Sequence, residues 1–584
     1  MNSEKSTGQS FLKGTLVLTS SIFIVKIFGI LFRIFVTGMI GSTGAAYFQL
    51  AYEIYNPLFA LATAGFPIAV SRMVSENAAR NRFKDVRLIH KISIPIFLTT
   101  GTVGFTLMII SSFIFPNLPS VNAPDAFYSI LALAPTILFV CLMSIYRGYH
   151  QGLRNMVPTA VSELIEAVCK LFLGYGISFS VITLGFKEYK THGTVFGKFY
   201  DSLSSATNAI MAFAAAGAIV GISIGALCGF IYLLIRHKKR GDGITKTELD
   251  SSPEAQTKSK LAKTLIRTAV PIGIGAIIMN IAGFIDITLI LNRIQYIMNT
   301  YPYELLNCYK GAMSPEVLTN KTAHIFLLGC YSITLPLMML VPAITQTFGV
   351  VSLPAVTRAY TKKDSNALKS SIESVIKLTT MVTIPAGLSI SILGPFLLRI
   401  IYPHRVNDVS IASNIIPILG IATIFTATAT PFCSMLQAVG RVDLPVKIIS
   451  AGLIIKIIVN YSLVGIPQIN IQGAGIGTTV GYAFILIVAM YFLFKETRIM
   501  PNLKKTLFKP FLASLICGAF LYLSVHFLIN FLPTLISVAL SSVIAVISYI
   551  ATLGIMHLIT REDLKSLPKG KKILKILEKC HIIK

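Results

Sequence analysis

The chain has 584 residues, of which 54% are hydrophobic and 13% charged, and its formal net charge is +27. Soluble proteins carry about 25% charged residues, and the apolar residues of this chain form long runs instead of alternating with polar ones. These properties exclude an ordinary soluble domain. Because the basic residues lie between the apolar runs, they indicate membrane orientation rather than nucleic-acid binding.

Fourteen apolar segments of the length needed to cross a bilayer predict transmembrane helices. In chain order they are residues 15–40, 45–71, 92–115, 126–146, 157–184, 205–235, 264–291, 323–356, 371–401, 409–438, 445–466, 473–494, 507–530 and 533–559. The first is too long for a cleaved signal and contains Lys26 and Arg33, so we expect it to remain as a span. The sequence therefore predicts an all-α integral membrane protein.

The loops between these segments differ in charge. Residues 72–91 and 236–263 are rich in Lys and Arg, whereas three loops on the opposite side contain neither. Those three loops are residues 41–45, 116–125 and 467–472. The positive-inside rule then predicts a multi-pass protein of the cell membrane with both termini in the cytoplasm, and it favours an even number of spans.

Two polar segments have their own signatures. Residues 237–263 combine Gly, Ser, Pro and charge, which predicts a flexible cytoplasmic linker. The tail, residues 561–584, alternates Lys with Leu and Ile, which is typical of a basic amphipathic helix on anionic membrane lipids; a solvated tail is the alternative.

The two halves of the chain share landmarks at a nearly constant spacing. Four pairs are separated by 286 positions, namely Arg72/Arg358, Gln151/Gln437, Lys170/Lys456 and Tyr175/Tyr461, and Pro158/Pro445 by 287. Six spans per half keep both copies in one orientation, so a parallel pseudo-two-fold repeat is predicted. It consists of an N-lobe (1–236), a C-lobe (264–495) and two C-terminal helices (496–560), with a central cleft that opens by alternating access.

Ionisable residues inside the predicted spans are functional candidates, because a charge in hydrocarbon is costly unless it faces water or a partner. They are Lys26, Arg33, Glu53, Glu163, Glu166 and Lys170 in the first half, and Asp286 and Lys456, followed one turn later by Asn460, in the second. Lys26 and Arg33 are seven residues apart and share a helix face, which suits an anionic ligand such as a pyrophosphate. Snorkelling to an interface is the alternative for both.

The carboxylates leave more than one interpretation open. Glu166 and Lys170, four residues apart, form either a structural ion pair or a contact with the transported molecule. Asp286 either pairs with Lys456 or takes up a proton or sodium ion. The sequence has no nucleotide-binding GxxxxGK[ST], no HExxH and no CxxC, so we predict no catalytic residue, no metal and no cofactor.

Several segments resemble one family. The segment RGYHQGLRNMVPTAVSELIEAVCK (147–170) is similar to the span 4–5 signature of the polysaccharide-transport branch of the multidrug/oligosaccharidyl-lipid/polysaccharide exporter superfamily. The other matching segments are KIFGILFR (26–33), AGFPIAVSR (64–72), FIDITLI (284–290), SLPAVTR (352–358) and LPVKIISAGLIIKIIVNY (444–461). Within that branch, the chain most resembles the family of MurJ-type lipid II flippases and stage V sporulation protein B.

The resemblance implies a monomeric two-lobe flippase that moves undecaprenyl-pyrophosphate-linked peptidoglycan precursor, lipid II, from the inner to the outer leaflet. Its role would lie in cell-wall synthesis, cell shape or sporulation. Lys26 and Arg33 would hold the pyrophosphate, and the helices of 496–560 would form a groove for the lipid tail.

The chain departs from that family at two positions. MurJ members have a cavity arginine in span 8, at about the position of Tyr331 in this chain. Asp286 and Asn460 match sodium ligands of some members, but Lys456 takes another ligand position. An ammonium group there replaces sodium in our interpretation, which favours coupling to protons or to the membrane potential.

Other functions give different expectations. A flippase for another lipid-linked polysaccharide would keep the cationic cleft, whereas a multidrug exporter would not depend on it. A membrane enzyme acting on polyprenyl phosphates would need an acidic or histidine cluster on an outside loop. A scaffold for wall synthesis would tolerate neutralisation of every cleft charge.

Overall fold

The structure is a computed structural model. It describes residues 11–63, 65–313, 315–319, 321–556 and 558. The predicted amphipathic tail, residues 561–584, lies outside the described residues. Helices account for nearly all of the described chain, which confirms the all-α fold class.

The chain divides into two compact units. The first contains Met1–Thr300 and Pro315–Ile333, and the second contains Tyr301–Ser314 and Thr334–Lys584. The boundary of the first unit therefore falls after the helix that holds Asp286, not within residues 237–263. The parallel repeat of two six-helix lobes stays a prediction.

The first unit is built from long helices around small residues. Its elements are α1 (Phe11–Thr63), α2 (Phe66–Ala79), α3 (Phe83–Ile114), α4 (Ala126–Gly152), α5 (Val157–His192), α6 (Leu203–Arg240), α7 (Lys246–Asp250), α8 (Lys258–Thr300), α10 (Pro315–Thr319) and α11 (Ala323–Ser332), with a 3₁₀ turn at Phe115–Asn117. A two-stranded antiparallel hairpin, β1 (Thr194–Val195) and β2 (Lys198–Phe199), joins α5 to α6.

Helix α1 is sharply bent at Gly41, whose φ of 66° and ψ of −168° are not helical. That backbone region is essentially restricted to glycine. Arg33 and Gln49 flank the bend and are hydrogen-bonded to each other. Sixteen residues of straight helix would separate them by about 24 Å. Gly41 therefore folds α1 into two arms, where the sequence predicts a loop at 41–45.

Helices α5 and α6 touch backbone to backbone. A Cβ built on Gly221 would lie 2.2 Å from the Gly174 nitrogen, and one on Gly225 would lie 2.9 Å from the Glu166 carbonyl oxygen. Only glycine permits this approach, which is typical of packing between membrane helices. The contact fixes the position of α5, which carries three of the candidate site residues.

The segment after α6 is structured. Arg87 of α3 binds both carboxylate oxygens of Asp242, at 2.8 and 3.1 Å, and the Tyr149 hydroxyl donates to the same carboxylate at 3.0 Å. Further along, the Gln256 backbone N–H donates to Asp85 at 2.7 Å. Helix α7 between these anchors begins with a capping box. Residues 242–256 are therefore held to the first unit at both ends, while the flexible linker stays a prediction.

The second unit has its own hydrophobic core. Its elements are α9 (Pro302–Cys308), α12 (Leu335–Thr361), α13 (Ser365–Ile401), α14 (Val406–Ala438), α15 (Asp443–Val464), α16 (Gln472–Thr497), a π-helix at Lys504–Phe508, α17 (Lys509–Leu528) and α18 (Thr534–Ile555). Phe432 and Leu436 of α14, each 0% exposed, lie in a cluster with Ile372 of α13 and Ile485 of α16. The core therefore joins helices that are distant in the chain.

Thirteen helical segments of the described chain are long and apolar enough to cross a membrane. One of them, Ser20–Ala79, has 60 residues and includes the bend at Gly41. The prediction of a multi-pass membrane protein is confirmed. The number of fourteen spans and the cytoplasmic position of both termini stay predictions.

Candidate functional site

The bend in α1 brings three of its polar side chains into one chain of hydrogen bonds. Arg33 donates through Nη2 to Gln49 Oε1 at 2.5 Å, and Gln49 donates through Nε2 to Glu53 Oε1 at 2.7 Å. The Arg33 guanidinium also lies 4.6 Å from the centre of the Phe48 ring, a cation–π distance. Arg33 is thus anchored to other side chains of the first unit.

Helix α5 presents its candidates beside α1 and α4. Glu166 accepts a hydrogen bond from Arg147 Nη2 at 3.1 Å, and Arg147 Nε donates to Ser162 Oγ at 2.9 Å. The side chain of Arg147 is 16% exposed and that of Glu166 is 28% exposed. Glu166 therefore pairs with a residue of α4, not with Lys170 one turn later on its own helix. Glu163 lies within electrostatic range of both Arg147 and Glu166.

Lys170 faces α1 instead. Its Nζ lies 5.0 Å from the centre of the buried Phe32 ring. It also lies within electrostatic range of Glu166 and Arg33. The predicted residues on α1 and α5 therefore form one neighbourhood, although they are at least 110 positions apart in the sequence.

Asp286 belongs to the same unit through α8. A Cβ built on Gly283 would lie 3.0 Å from Glu53 Oε2, so the Glu53 carboxylate reaches the α8 backbone one turn before Asp286. Asp286 itself is 7% exposed. The sequence had assigned Asp286 to the second lobe, and only the packing of α8 places it near the α1 residues.

Lys26 occupies the arm of α1 that precedes Arg33 and is partly buried. Near it, Ser21 Oγ donates to the Ala160 carbonyl oxygen of α5 at 3.1 Å, so this arm packs against the first turn of α5. Lys26 therefore lies along α1 between this contact with α5 and Arg33.

Positive and negative groups are balanced in this neighbourhood of the first unit. The basic residues are Lys26, Arg33, Arg147 and Lys170, and the acidic ones are Glu53, Glu163, Glu166 and Asp286. The sequence prediction did not include Arg147 or Gln49. Gln49 stands four residues before Glu53, a helical spacing that is the one sequence signal for its role.

The remaining two candidates lie in the second unit. Asn460 is 1% exposed, and a Cβ on Gly477 of α16 would lie 1.9 Å from its Oδ1. The Cβ of Lys456 would lie 2.8 Å from one built on Gly481, one turn further along α16. Two glycines of α16 thus make room for the polar side of α15.

The second unit also holds an apolar groove of about 360 Å³ between α13, α17 and α18. Its lining includes Leu393 of α13, Leu521 of α17, and Val546 and Tyr549 of α18. Among the described residues, no cluster of three or more His, Cys, Asp or Glu side chains is placed to hold a metal ion.

The fold and the charged group define a helical, multi-pass membrane protein that keeps ionisable residues inside its apolar spans. The model of the polysaccharide biosynthesis protein family matches residues 11–359, more than half of the chain, so the chain belongs to that family. The MatE family model matches residues 321–462. The resemblance found in the sequence motifs is confirmed.

Two proteins of Bacillus subtilis (strain 168) are similar along most of the chain. Lipid II flippase MurJ is 24% identical over 489 residues, 82% of this chain and 81% of that protein. Stage V sporulation protein B is 23% identical over 575 residues, 96% of this chain and 98% of that protein.

Two solved structures share the fold. An inward-facing multidrug resistance MATE family transporter of the MOP superfamily has a TM-score of 0.61 at 14% identity, covering 83% of this chain and 98% of its own. Lipid II flippase MurJ in an inward closed conformation has a TM-score of 0.55 at 15% identity, covering 93% and 99%. Three of these four relatives bear the names of transporters or flippases.

Proposed function

We propose that the protein is a flippase for a lipid-linked glycan diphosphate, with the lipid II precursor of peptidoglycan as its substrate. The observation that carries this proposal is that four cations within candidate membrane spans, Lys26, Arg33, Arg147 and Lys170, belong to one unit. Cations in such spans are functional candidates because a charge in hydrocarbon is costly. The similarity to a protein named lipid II flippase supports the choice of substrate.

The Arg33–Gln49–Glu53 chain suggests how a diphosphate enters. Without substrate, the Glu53 carboxylate and the Gln49 amide balance the guanidinium. A diphosphate is a stronger partner for Arg33 because guanidinium and phosphate form paired charge-assisted hydrogen bonds. Binding would therefore displace Gln49 and leave Glu53 to take up a proton, which links cargo binding to proton uptake.

The groove between α13, α17 and α18 is suited to a polyprenyl tail. Its lining is mostly apolar and it lies in the helices predicted to accommodate lipid. In the same proposal, Asp286, Lys456 and Asn460 serve the coupling step, with the Lys456 ammonium in place of a sodium ion. Transport that persists when sodium is replaced by choline, and fails when the membrane potential is collapsed, would support this assignment.

The proposal is tested by depleting the protein in cells and measuring lipid II exposed on the outer leaflet. We expect exposure to fall on depletion and to be restored by the wild-type gene but not by Lys26→Ala/Arg33→Ala. The matched control is Lys190→Gln, which removes a cation from the exposed end of α5. Unchanged outer-leaflet exposure after depletion would contradict the proposal. Drug efflux that survives Lys26→Ala/Arg33→Ala would instead favour multidrug export.

A further inference from the structure

A second basic site lies where α2 meets the turn between α4 and α5, apart from the residues discussed above. A pocket of about 620 Å³ opens there, within the ~300–1,000 Å³ typical of small-molecule sites. We call it the α2 pocket. Its polar lining residues are Ser71, Arg72, Ser75, Gln151 and Arg154, and no carboxylate lines it.

Close backbone contact holds the two walls of the α2 pocket together. A Cβ on Gly148 would lie 2.7 Å from the Pro67 carbonyl oxygen, and one on Gly152 would lie 2.7 Å from the Ser71 carbonyl oxygen. Glycines at the end of α4 therefore let α2 approach to backbone contact. This packing fixes the walls from α2 and the end of α4, and Arg154 lines the pocket from the turn that directly follows α4.

Arg154 adopts a backbone conformation that glycine would adopt more easily. Its φ is +57°, in the left-handed region. At the equivalent helix end of the second half the left-handed residue is Gly440, with φ +89°, as expected for a helix C-terminus. The first half therefore carries an arginine at the position where the second half carries a glycine.

The second half has an arginine one position after Gly440. This residue, Arg441, is used structurally, since it pairs with Glu496 at 2.7 Å and Asp443 at 3.4 Å. No carboxylate of the described residues lies within ion-pair distance of Arg154. Arg72 pairs only with the exposed Glu76, at 2.9 Å.

We propose that the α2 pocket binds the diphosphate of a lipid headgroup before the lipid reaches Lys26 and Arg33. This inference rests on the proposed transport function. Two guanidinium groups can each hold phosphoryl oxygens in a bidentate manner, and the serine hydroxyls and the Gln151 amide can donate to the others. Ile68, 60% exposed at the rim, offers apolar surface beside the headgroup.

The position of the α2 pocket fits such a loading step. Met156 lines the pocket, and its carbonyl accepts the Ala160 N–H at 3.0 Å. The Ala160 carbonyl in turn accepts the Ser21 hydroxyl. Lys26 follows Ser21 by five residues, a rise of about 7.5 Å along α1. A diphosphate leaving the pocket would therefore meet Lys26 first and Arg33 two turns later.

The test uses the full-length protein in nanodiscs and measures undecaprenyl diphosphate binding by native mass spectrometry. The background is Lys26→Gln/Arg33→Gln, so that the membrane-embedded site does not contribute. In that background we expect Arg154→Gly to weaken binding about tenfold, since it removes one charge-assisted contact. Arg154→Gly also relaxes the left-handed backbone, so a folding defect is not expected. Arg72→Gln should act similarly, and Arg154→Lys should lose part of the effect.

Arg80→Gln is the matched control, because it removes an exposed arginine that caps α2 but does not line the pocket. We expect it to change binding less than about twofold. An equal loss with Arg80→Gln, or no loss with Arg154→Gly, overturns the proposal. Equal loss of phosphatidylglycerol binding overturns it in favour of general anionic-lipid attraction. Free pyrophosphate binding as tightly as the lipid overturns the headgroup assignment in favour of a soluble anion.

Failure of this proposal can be told apart from failure of the proposed function. If the α2 pocket carries no diphosphate, Arg154→Gly leaves lipid transport intact while Lys26→Ala/Arg33→Ala still abolishes it. If the protein is not a flippase, neither variant changes lipid transport, because the wild type shows none.

Discussion

The ion pair between Arg147 and Glu166 holds α4 to α5 next to the candidate site. Because both side chains are largely buried, removing the arginine alone leaves a carboxylate without its partner. We expect Arg147→Gln to lower the free energy of unfolding by about 1–2 kcal/mol. Arg147→Gln/Glu166→Gln should recover much of that loss, since no charge is then left unpaired. Thermal unfolding in detergent measures both; a double variant less stable than Arg147→Gln would contradict the pairing.

Glu53 is the residue whose charge should matter most for cargo. Glu53→Gln removes the carboxylate that balances Arg33 through Gln49. We expect tighter binding of undecaprenyl diphosphate but slower transport, because the negative charge next to Arg33 that repels the diphosphate is removed and no carboxylate is left there to take up a proton. Binding in nanodiscs and transport in vesicles measure the two effects. If Glu53→Gln weakens binding as strongly as Arg33→Gln, Glu53 contacts the cargo directly instead.

The individual candidates follow from the sequence, but their partners do not. A lone Lys, Arg or Glu inside an apolar run is visible in any hydropathy profile, which is why Arg33, Glu53 and Lys170 were predicted. The Arg147–Glu166 pair joins two helices, so neither helical spacing nor hydropathy indicates it. Helical spacing favoured Lys170 as the partner of Glu166, and the packing of α4 against α5 gave Glu166 a different one.

At the scale of elements, α5 and α6 depend on glycine at their crossing. A Cβ on Gly221 would collide with the Gly174 backbone, whereas one on Gly176 of the same α5 would meet nothing within 4 Å. We expect Gly221→Ala to destabilise the protein by about 1–3 kcal/mol, because the helices must separate. Gly176→Ala should be neutral or slightly stabilising. The melting temperatures of Gly221→Ala and Gly176→Ala measure this difference. Equal melting temperatures would contradict backbone contact between α5 and α6.

The segment after α6 offers a pH-dependent prediction. Burial alone would raise the pKa of the Asp242 carboxyl, but hydrogen bonds from Arg87, the Ile244 N–H and Tyr149 lower it below its ordinary value. A carboxyl with a lowered folded pKa stabilises the fold above its unfolded pKa, and this stabilisation is lost as the pH falls through the folded pKa. Asp242→Asn should therefore loosen residues 242–256 at neutral pH.

Hydrogen exchange of that segment measures the effect as the difference in protection between wild type and Asp242→Asn. We expect a constant difference at neutral and weakly acidic pH that disappears below the ordinary carboxyl pKa of about 4. A difference that persists well below that pH would contradict the assignment of the anchor to the Asp242 carboxylate.

At the scale of the whole molecule, the composition was sufficient to predict a multi-pass membrane protein. Long apolar runs predict membrane helices because the bilayer demands them, and the charge of the loops predicts their orientation. The compact units were harder to predict. The segment 237–263 looked like a boundary because it is polar, yet α8 after it packs with the first unit, where Glu53 reaches the Gly283 backbone. Polarity marks solvent exposure, and only packing decides which helices belong together.

Transport of a fluorescent lipid II analogue by the purified protein in sealed vesicles tests the central claim most directly. We expect wild-type vesicles to move the analogue across the bilayer, Lys190→Gln to match them, and Lys26→Gln/Arg33→Gln to reduce the rate at least about tenfold, since two charge-assisted contacts to the diphosphate are lost. Equal rates for all three proteins, or wild-type vesicles no faster than empty ones, would contradict the assignment of a diphosphate-lipid flippase.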